Sequence, residues 1–156
     1  MKTDAFNPSR LAVLYYFGDL QYWKLPRVAV DALVNGYDGA ALRKLAGLND
    51  VVESDLPVGE VDSAFQEMGV AAPISKAEAT LILATEAVKG VIDGDGDVFD
   101  VATHIRIHLC GLENPMPELR RIVELSDQAT RAPRHRWNAL EEDLRAAMSS
   151  FLASRN

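Results

Sequence analysis

The sequence predicts an all-α protein, in which residues 1–156 form one domain and an irregular bundle of seven or eight helices. Helix start and stop signals recur along the whole chain. No run shows the sustained two-residue alternation of apolar and polar side chains that is typical of a strand. No fixed period relates the helical segments, so we do not expect a solenoid of repeats.

In the first half of the chain, the predicted helices begin at a cap or a proline and mostly end beside glycine. They cover residues 8–23, 26–34, 40–46, 49–55 and 58–68. Asn7 before Pro8 is a favourable start for a helix. The asparagine side chain can accept a hydrogen bond from a free backbone N–H of the first turn, and proline has no backbone N–H that needs a partner. We expect Asp38 to cap the helix of residues 40–46 in the same way.

In the second half, the predicted helices cover residues 75–92, 98–110, 118–130 and 135–153. Ser75 and Glu78 form a capping box. Residues 93–97, with the sequence DGDGD, have the composition of a calcium loop. A calcium loop requires glycine at its sixth position and glutamate at its twelfth, and neither possible alignment of these residues with such a loop provides both. We therefore interpret this stretch as a helix stop followed by Asp97 as the next N-cap.

The net negative charge lies in the middle of the chain. Residues 38–100 hold 13 acidic and 4 basic side chains, a balance of −9, whereas the segments on either side each come to +1. Such a field attracts a basic partner and repels nucleic acid and anionic membranes. We therefore predict a basic protein as partner, and neither nucleic acid nor a membrane. The candidate partner-binding residues are Asp50, Glu53, Asp55, Glu60 and Asp62.

A basic run near the C-terminus offers a competing interpretation, because clustered arginines can bind phosphate. The run consists of Arg120, Arg121, Arg131, Arg134, His135 and Arg136. Acidic side chains lie among and after these residues, and the whole chain is far more acidic than a nucleic-acid-binding domain. We expect these charges to pair with one another across the last two helices.

Asp100, His104 and His108 are spaced four residues apart, so they form one stripe on a helix. Three such ligands could hold zinc or iron. No further ligand group is recognisable in the sequence, and we predict neither a metal nor another cofactor. Cys110 could act as a nucleophile with a histidine that meets it in space, but a free cysteine near a helix end is usually a small apolar filler.

Residues 11–17 are apolar on every face of a helix, and residues 1–37 hold 7 of the 11 aromatic side chains. A helix that is apolar all round is expected to be buried on all sides. This favours a core helix and a monomer. The alternative is an oligomer interface, where aromatic residues concentrate, so the sequence leaves the oligomeric state undecided.

The cysteine content and the N-terminus both predict a cytoplasmic protein. Cys110 is the single cysteine, so no disulfide can form within the chain. The first eight residues do not resemble a signal peptide. The longest unbroken apolar stretch, residues 11–17, is too short to span a bilayer.

Residues 30–38 and 41–48 are similar in sequence to a known group of proteins. They resemble the stretch ALxxGxDxxxLRxLAG of small bacterial proteins of unknown function, many of them actinobacterial. Residues 141–147 are similar to the closing helix of those proteins, and residues 92–97 to a turn before their penultimate section. The resemblance implies an all-helical fold, and it implies no activity and no site.

Three hypotheses about function follow. The first is a non-catalytic acidic interaction protein, for which immunity proteins that neutralise basic nuclease toxins are one class of this size and charge. The second is a small metal-dependent or cysteine enzyme that uses Asp100, His104, His108 and Cys110. The third is a structural subunit that oligomerises through its aromatic N-terminal segment.

Overall fold

The computed structural model describes residues 5–48, 56, 58–110 and 116–155. This part of the chain holds eight α-helices and no strand, which confirms the predicted all-α class. The helices are α1 (Pro8–Phe17), α2 (Leu25–Val34), α3 (Ala40–Ala46), α4 (Val58–Glu67), α5 (Lys76–Ile92), α6 (Val98–His104), α7 (Arg120–Arg131) and α8 (Trp137–Arg155). The helix predicted at residues 49–55 lies outside the described residues.

Among the described residues, two 3₁₀ turns and one π-helical segment lie between these α-helices. Single 3₁₀ turns, Tyr22–Lys24 and Arg134–Arg136, lead directly into α2 and α8. A π-helical segment, Ile105–Cys110, extends α6 and replaces the regular helix predicted to run to residue 110. The ends of α7 and α8 differ from prediction by two residues or fewer, which is the usual uncertainty at frayed helix termini.

The chain divides into two compact units, residues 1–79 and 80–156. The prediction that residues 1–156 are one domain stays a prediction. In the first unit, α2 packs against α3 and α3 packs against α4. The core of this unit contains Leu42 and Phe65, each 1% exposed. The apolar side chains of α2 that join it, Leu25, Ala29 and Ala32, recur at steps of three or four residues, as expected for one helix face.

The second unit has its own core, in which α6, α7 and α8 pack against one another. The buried side chains of α8 are Leu140, Leu144, Met148 and Phe151, all of which the helical periodicity predicts. The apolar face of α5 contributes Ala84, Val88 and Val91. Each unit therefore buries the apolar faces of its helices in a core of its own.

Three predicted N-caps are confirmed. Asn7 accepts the backbone N–H of the third residue after it at 3.1 Å, and Ser75 does the same at 3.1 Å. Asp97 Oδ1 accepts two backbone N–H groups, at 2.8 and 3.0 Å. The acidic stretch of residues 93–97 therefore ends in a helix cap, as interpreted from the sequence.

The first helix is shorter and less buried than predicted. It ends at Phe17 because Gly18 adopts a left-handed conformation, with φ of 108°, and its N–H bonds back to the carbonyl groups of Leu14 and Tyr15. Of residues 11–17, Ala12 and Val13 are buried and the other five are half-buried. The predictions of a helix to Trp23 and of burial on all sides are therefore wrong.

The cap of α3 also differs from prediction. Asp38 does not cap this helix; its carboxylate accepts the Gly39 N–H at 2.9 Å and pairs with Arg43, whose hydrogen bond lowers the Asp38 pKa. Glu67 at the end of α4 takes the capping role, because its two carboxylate oxygens accept the N–H groups of Ala41 and Leu42 at 2.9 Å each.

The charges of the last two helices pair within each helix rather than across them. Arg131 bonds to Asp127 in α7, and Arg145 lies 3.3 Å from Glu141 in α8. Each pair is four residues apart, where side chains of one helix face meet. The predicted pairing across the two helices is therefore replaced by local pairs.

Candidate functional site

The first unit contains a groove of about 690 Å³ whose lining includes four aromatic side chains. We call it the aromatic groove and define it by Tyr15, Tyr16, Tyr22, Trp23, Leu56 and Asp62. Its volume is in the range of known ligand-binding clefts. Eleven described residues line the groove in all, of which four are aromatic and one, Asp62, is a carboxylate.

Gly18 makes this groove possible. The left-handed turn ends α1 directly after its aromatic residues. The chain then forms the 3₁₀ turn that carries Tyr22 and Trp23, whose rings meet edge to face at 5.2 Å. Trp23 is 53% exposed, an unusual solvent exposure for so large an apolar side chain.

The other wall rests on the core. The rings of Tyr15 and Tyr16 meet edge to face at 5.1 Å. The Phe65 ring lies 5.8 Å from the Tyr15 ring and 5.7 Å from the Tyr16 ring. Because Phe65 is fully buried, the two tyrosines are held on a rigid base.

Asp62 of α4 is the one acidic or basic side chain among the described residues that line this groove. The Tyr16 hydroxyl donates a short hydrogen bond to Asp62 Oδ1. Burial, together with the Asp62 carboxylate, raises the pKa of the Tyr16 phenol, so Tyr16 keeps its proton and remains a donor. Within the described part of the chain, no other group bonds to the Asp62 side chain.

The arrangement is suited to binding a cation. Aromatic faces attract cations through their quadrupole, and a carboxylate beside them adds a charged acceptor. The described side chains that line the groove include no histidine, cysteine or lysine that could serve as a base or nucleophile. A carboxylate beside aromatic rings is the chemistry of cation recognition.

The five candidate partner-binding residues separate into three groups. Asp50, Glu53 and Asp55 lie outside the described residues. Glu60 forms an ion pair with Lys44, with 2.9 Å between Oε1 and Nζ. Asp62 lines the aromatic groove.

The histidine stripe is exposed. Asp100, His104 and His108 all face solvent, and the ring centroids of the two histidines are 5.2 Å apart. Among the described residues, no three His, Cys, Asp or Glu side chains form a group that could hold a metal ion. The structure therefore does not bring these three residues together as a set of ligands.

Cys110 packs beside the core of the second unit and is half-buried. Burial raises the pKa of its thiol, which lowers the fraction of reactive thiolate at neutral pH. His135, the third histidine, is exposed in the turn before α8. These environments do not resemble an activated cysteine nucleophile.

Sequence reasoning missed the aromatic groove itself. The concentration of aromatic residues in the first 37 residues was a usable signal, but it predicted a buried helix. Gly18 was the residue that could have corrected this prediction, because glycine after a helical run is a common stop signal.

Within the described residues, no helix is both long enough and apolar enough to cross a membrane. No family model, curated protein or solved structure matches the chain.

Proposed function

We propose that this chain is a non-catalytic interaction protein that binds a basic protein partner through the aromatic groove. The observation that carries the proposal is the position of Asp62, a carboxylate set among tyrosine and tryptophan side chains. A lysine or arginine side chain of a partner matches this site in charge and in shape.

Arginine suits the groove particularly well. Its guanidinium stacks on aromatic rings and donates to a carboxylate at the same time. Tyrosine and tryptophan are also enriched among the residues that dominate binding energy at protein interfaces. Trp23, 53% exposed, offers a large anchoring surface of this kind.

The acidic middle of the chain supports the same proposal at longer range. The balance of −9 over residues 38–100 creates a field that accelerates encounter with a basic partner. The groove would act after encounter, by slowing dissociation. An immunity protein that neutralises a basic toxin belongs to this class, and so does any other acidic inhibitor of a basic protein.

The first test is affinity purification of the tagged full chain, with mass spectrometry of the bound proteins. We expect a basic partner that is recovered by the natural chain and lost with Asp62→Lys. Asp143→Lys is the matched control, because Asp143 is an exposed acid of α8 and undergoes the same charge change. Recovery of acidic or uncharged partners alone would contradict the proposal.

The second test measures the kinetics of the purified pair. Asp62→Asn removes the charge but leaves an oxygen that Tyr16 can bond to, so the fold is preserved. We expect this variant to weaken binding about tenfold, or ~1.4 kcal/mol, mainly through faster dissociation. Unchanged dissociation in Asp62→Asn would show that the groove is not the binding site.

A further inference from the structure

The second unit contains an open cleft of about 440 Å³ that is separate from the aromatic groove. It lies among α6, α7 and the start of α8, and we call it the α6–α8 cleft. The residues that matter for the argument are Phe99, Asp100, Thr103, Ser126, Thr130 and Trp137. Clefts of this volume accommodate small organic ligands.

One wall of the cleft is aromatic and held in place. The rings of Phe99 and Trp137 lie 6.0 Å apart. The Trp137 indole N–H donates to the Ala132 carbonyl at 3.2 Å, which fixes the ring although it is 42% exposed. The guanidinium carbon of Arg134 lies 5.9 Å from the centre of this ring. Trp137 thus already attracts a cation of its own chain.

Oxygen acceptors also line the cleft. The Asp100 carboxylate and the Thr103 hydroxyl have no hydrogen-bond or ion-pair partner among the described residues. The Thr130 hydroxyl donates to the Asp127 carbonyl at 2.7 Å and keeps its lone pairs available. Ser126, 1% exposed, accepts a hydrogen bond from Arg106 at 3.1 Å at the base of the cleft.

The charges near the cleft define where a ligand cation would sit. Asp97 also lines the cleft, but its Oδ1 already accepts two backbone N–H groups as the cap of α6. Arg106 bonds to Ser126 and Arg134 lies over the Trp137 ring, and neither forms an ion pair with Asp100 among the described contacts. Asp100 is therefore the carboxylate that is left to balance a positive charge.

We propose that the α6–α8 cleft binds a small organic cation of the alkylammonium class. The cation would contact the Trp137 ring in place of the Arg134 guanidinium and would pair with the Asp100 carboxylate, and a hydroxyl or N–H of the ligand would bond to Thr103 or Thr130. This assigns Asp100 a role in ligand binding that does not involve the histidines of the same stripe.

Choline and its uncharged isostere 3,3-dimethylbutan-1-ol form a matched pair of probes, because they share shape and hydroxyl but differ in charge. The experiment uses the full chain with Trp23→Phe, so that Trp137 is the single fluorophore of its kind. We expect saturable quenching by choline and a shift of the Trp137 indole N–H resonance. The neutral isostere should bind at least about tenfold more weakly, since it lacks the cation–π and ionic contacts.

Asp100→Asn should weaken choline binding about tenfold. Asp93→Asn should not, because Asp93 is an exposed acid outside the cleft and undergoes the same charge change. Equal binding of choline and its isostere would overturn the proposal in favour of a merely apolar cleft. Absence of saturable binding, or equal binding by Asp100→Asn, would overturn it as well.

Discussion

Tyr16 and Asp62 form the polar contact on which the aromatic groove depends. The two residues are 46 positions apart in the sequence, and the phenol is partly buried where it meets the carboxylate. Both the loss of hydration and the nearby negative charge disfavour the phenolate, which is why the pKa of Tyr16 is raised. The Tyr16 phenol therefore keeps its proton to a higher pH than an ordinary tyrosine does.

The raised pKa of Tyr16 predicts a pH dependence of stability. Some groups have a higher pKa in the folded protein than in the unfolded chain. Such a group makes its full contribution to stability at pH values below its pKa in the unfolded chain, which is about 10 for tyrosine. This contribution is lost as the pH rises through the folded value. We expect the free energy of unfolding to fall above about pH 10, and to fall less in Tyr16→Phe.

Absorbance titration at alkaline pH provides the measurement. Tyr16→Phe should remove an ionisation step that lies above the ordinary pH range of a tyrosine. If Tyr16→Phe removed an earlier step instead, the predicted burial of the phenol beside Asp62 would be wrong.

Position 39 requires glycine because the Glu67 side chain lies very close to it. A Cβ atom built on it would lie 2.0 Å from the Glu67 side-chain carbon Cδ. Gly39→Ala therefore forces the Glu67 carboxylate away from the start of α3. We expect a loss of about 0.5–2 kcal/mol in the free energy of unfolding, the range for removing a helix cap.

Gly59→Ala is the matched control, since Gly59 lies in α4 with open space around its Cβ position. This substitution should leave stability equal or raise it, because alanine favours helix over glycine. Denaturant unfolding of both variants, of Glu67→Ala and of Gly39→Ala/Glu67→Ala tests the cause. Fully additive losses in the double variant would show that Gly39 and Glu67 do not act through one contact.

At the scale of the element, α3 shows how a helix of seven residues persists. An isolated helix of this length is not stable in water. Leu42 and Leu45 are buried in the core of the first unit, and Glu67 satisfies two N–H groups at the helix start. Burial of one face and the hydrogen bonds from Glu67 at its start therefore stabilise this helix.

The helix α6 and the π-helical segment after it carry the exposed stripe of Asp100, His104 and His108, which supports a prediction about metal. We expect the purified protein to contain no stoichiometric zinc or iron. His104→Ala should change the melting temperature little, because an exposed side chain with no structural metal contributes little to folding. Elemental analysis and thermal unfolding measure both. One equivalent of metal that disappears in His104→Ala would instead support the metal-dependent enzyme hypothesis.

At the scale of the whole molecule, the charge distribution predicts the kinetics of association. Reversing the five candidate acids together should slow association with a basic partner more than Asp62→Lys alone does, and added salt should shrink the difference. The reversed residues are Asp50, Glu53, Asp55, Glu60 and Asp62.

A control variant with the same change in net charge reverses Glu118, Glu124, Glu141, Glu142 and Asp143. We expect it to slow association less, because these acids lie in a segment with a net charge of +1. Equal slowing in the two variants would show that total charge matters and its position does not.

The oligomeric state is the second property of the whole molecule that can be predicted. We expect light scattering to give one mass across a dilution series, that of a 17.1 kDa monomer. A mass that rises with concentration and returns to that of the monomer in Trp23→Arg would favour the structural-subunit hypothesis, with the exposed Trp23 in the interface.

Local sequence patterns determined the helical class and most helix starts. Asn7, Ser75 and Asp97 cap the helices that their positions predict, because a cap satisfies N–H groups only two or three residues away. The periodicity of α8 likewise identifies its buried face without knowledge of what packs against it. The acidic bias of residues 38–100 is also a property of the sequence alone.

Tertiary structure decided the sites. The carboxylate of Glu67 reaches the start of α3 from more than 20 residues away, and Asp62 meets Tyr16 across 46 positions. The aromatic groove exists because Gly18 ends α1 early and Phe65 supports the two tyrosines. No local period records such pairings, because side chains distant in sequence meet only when helices pack, and packing depends on the whole core.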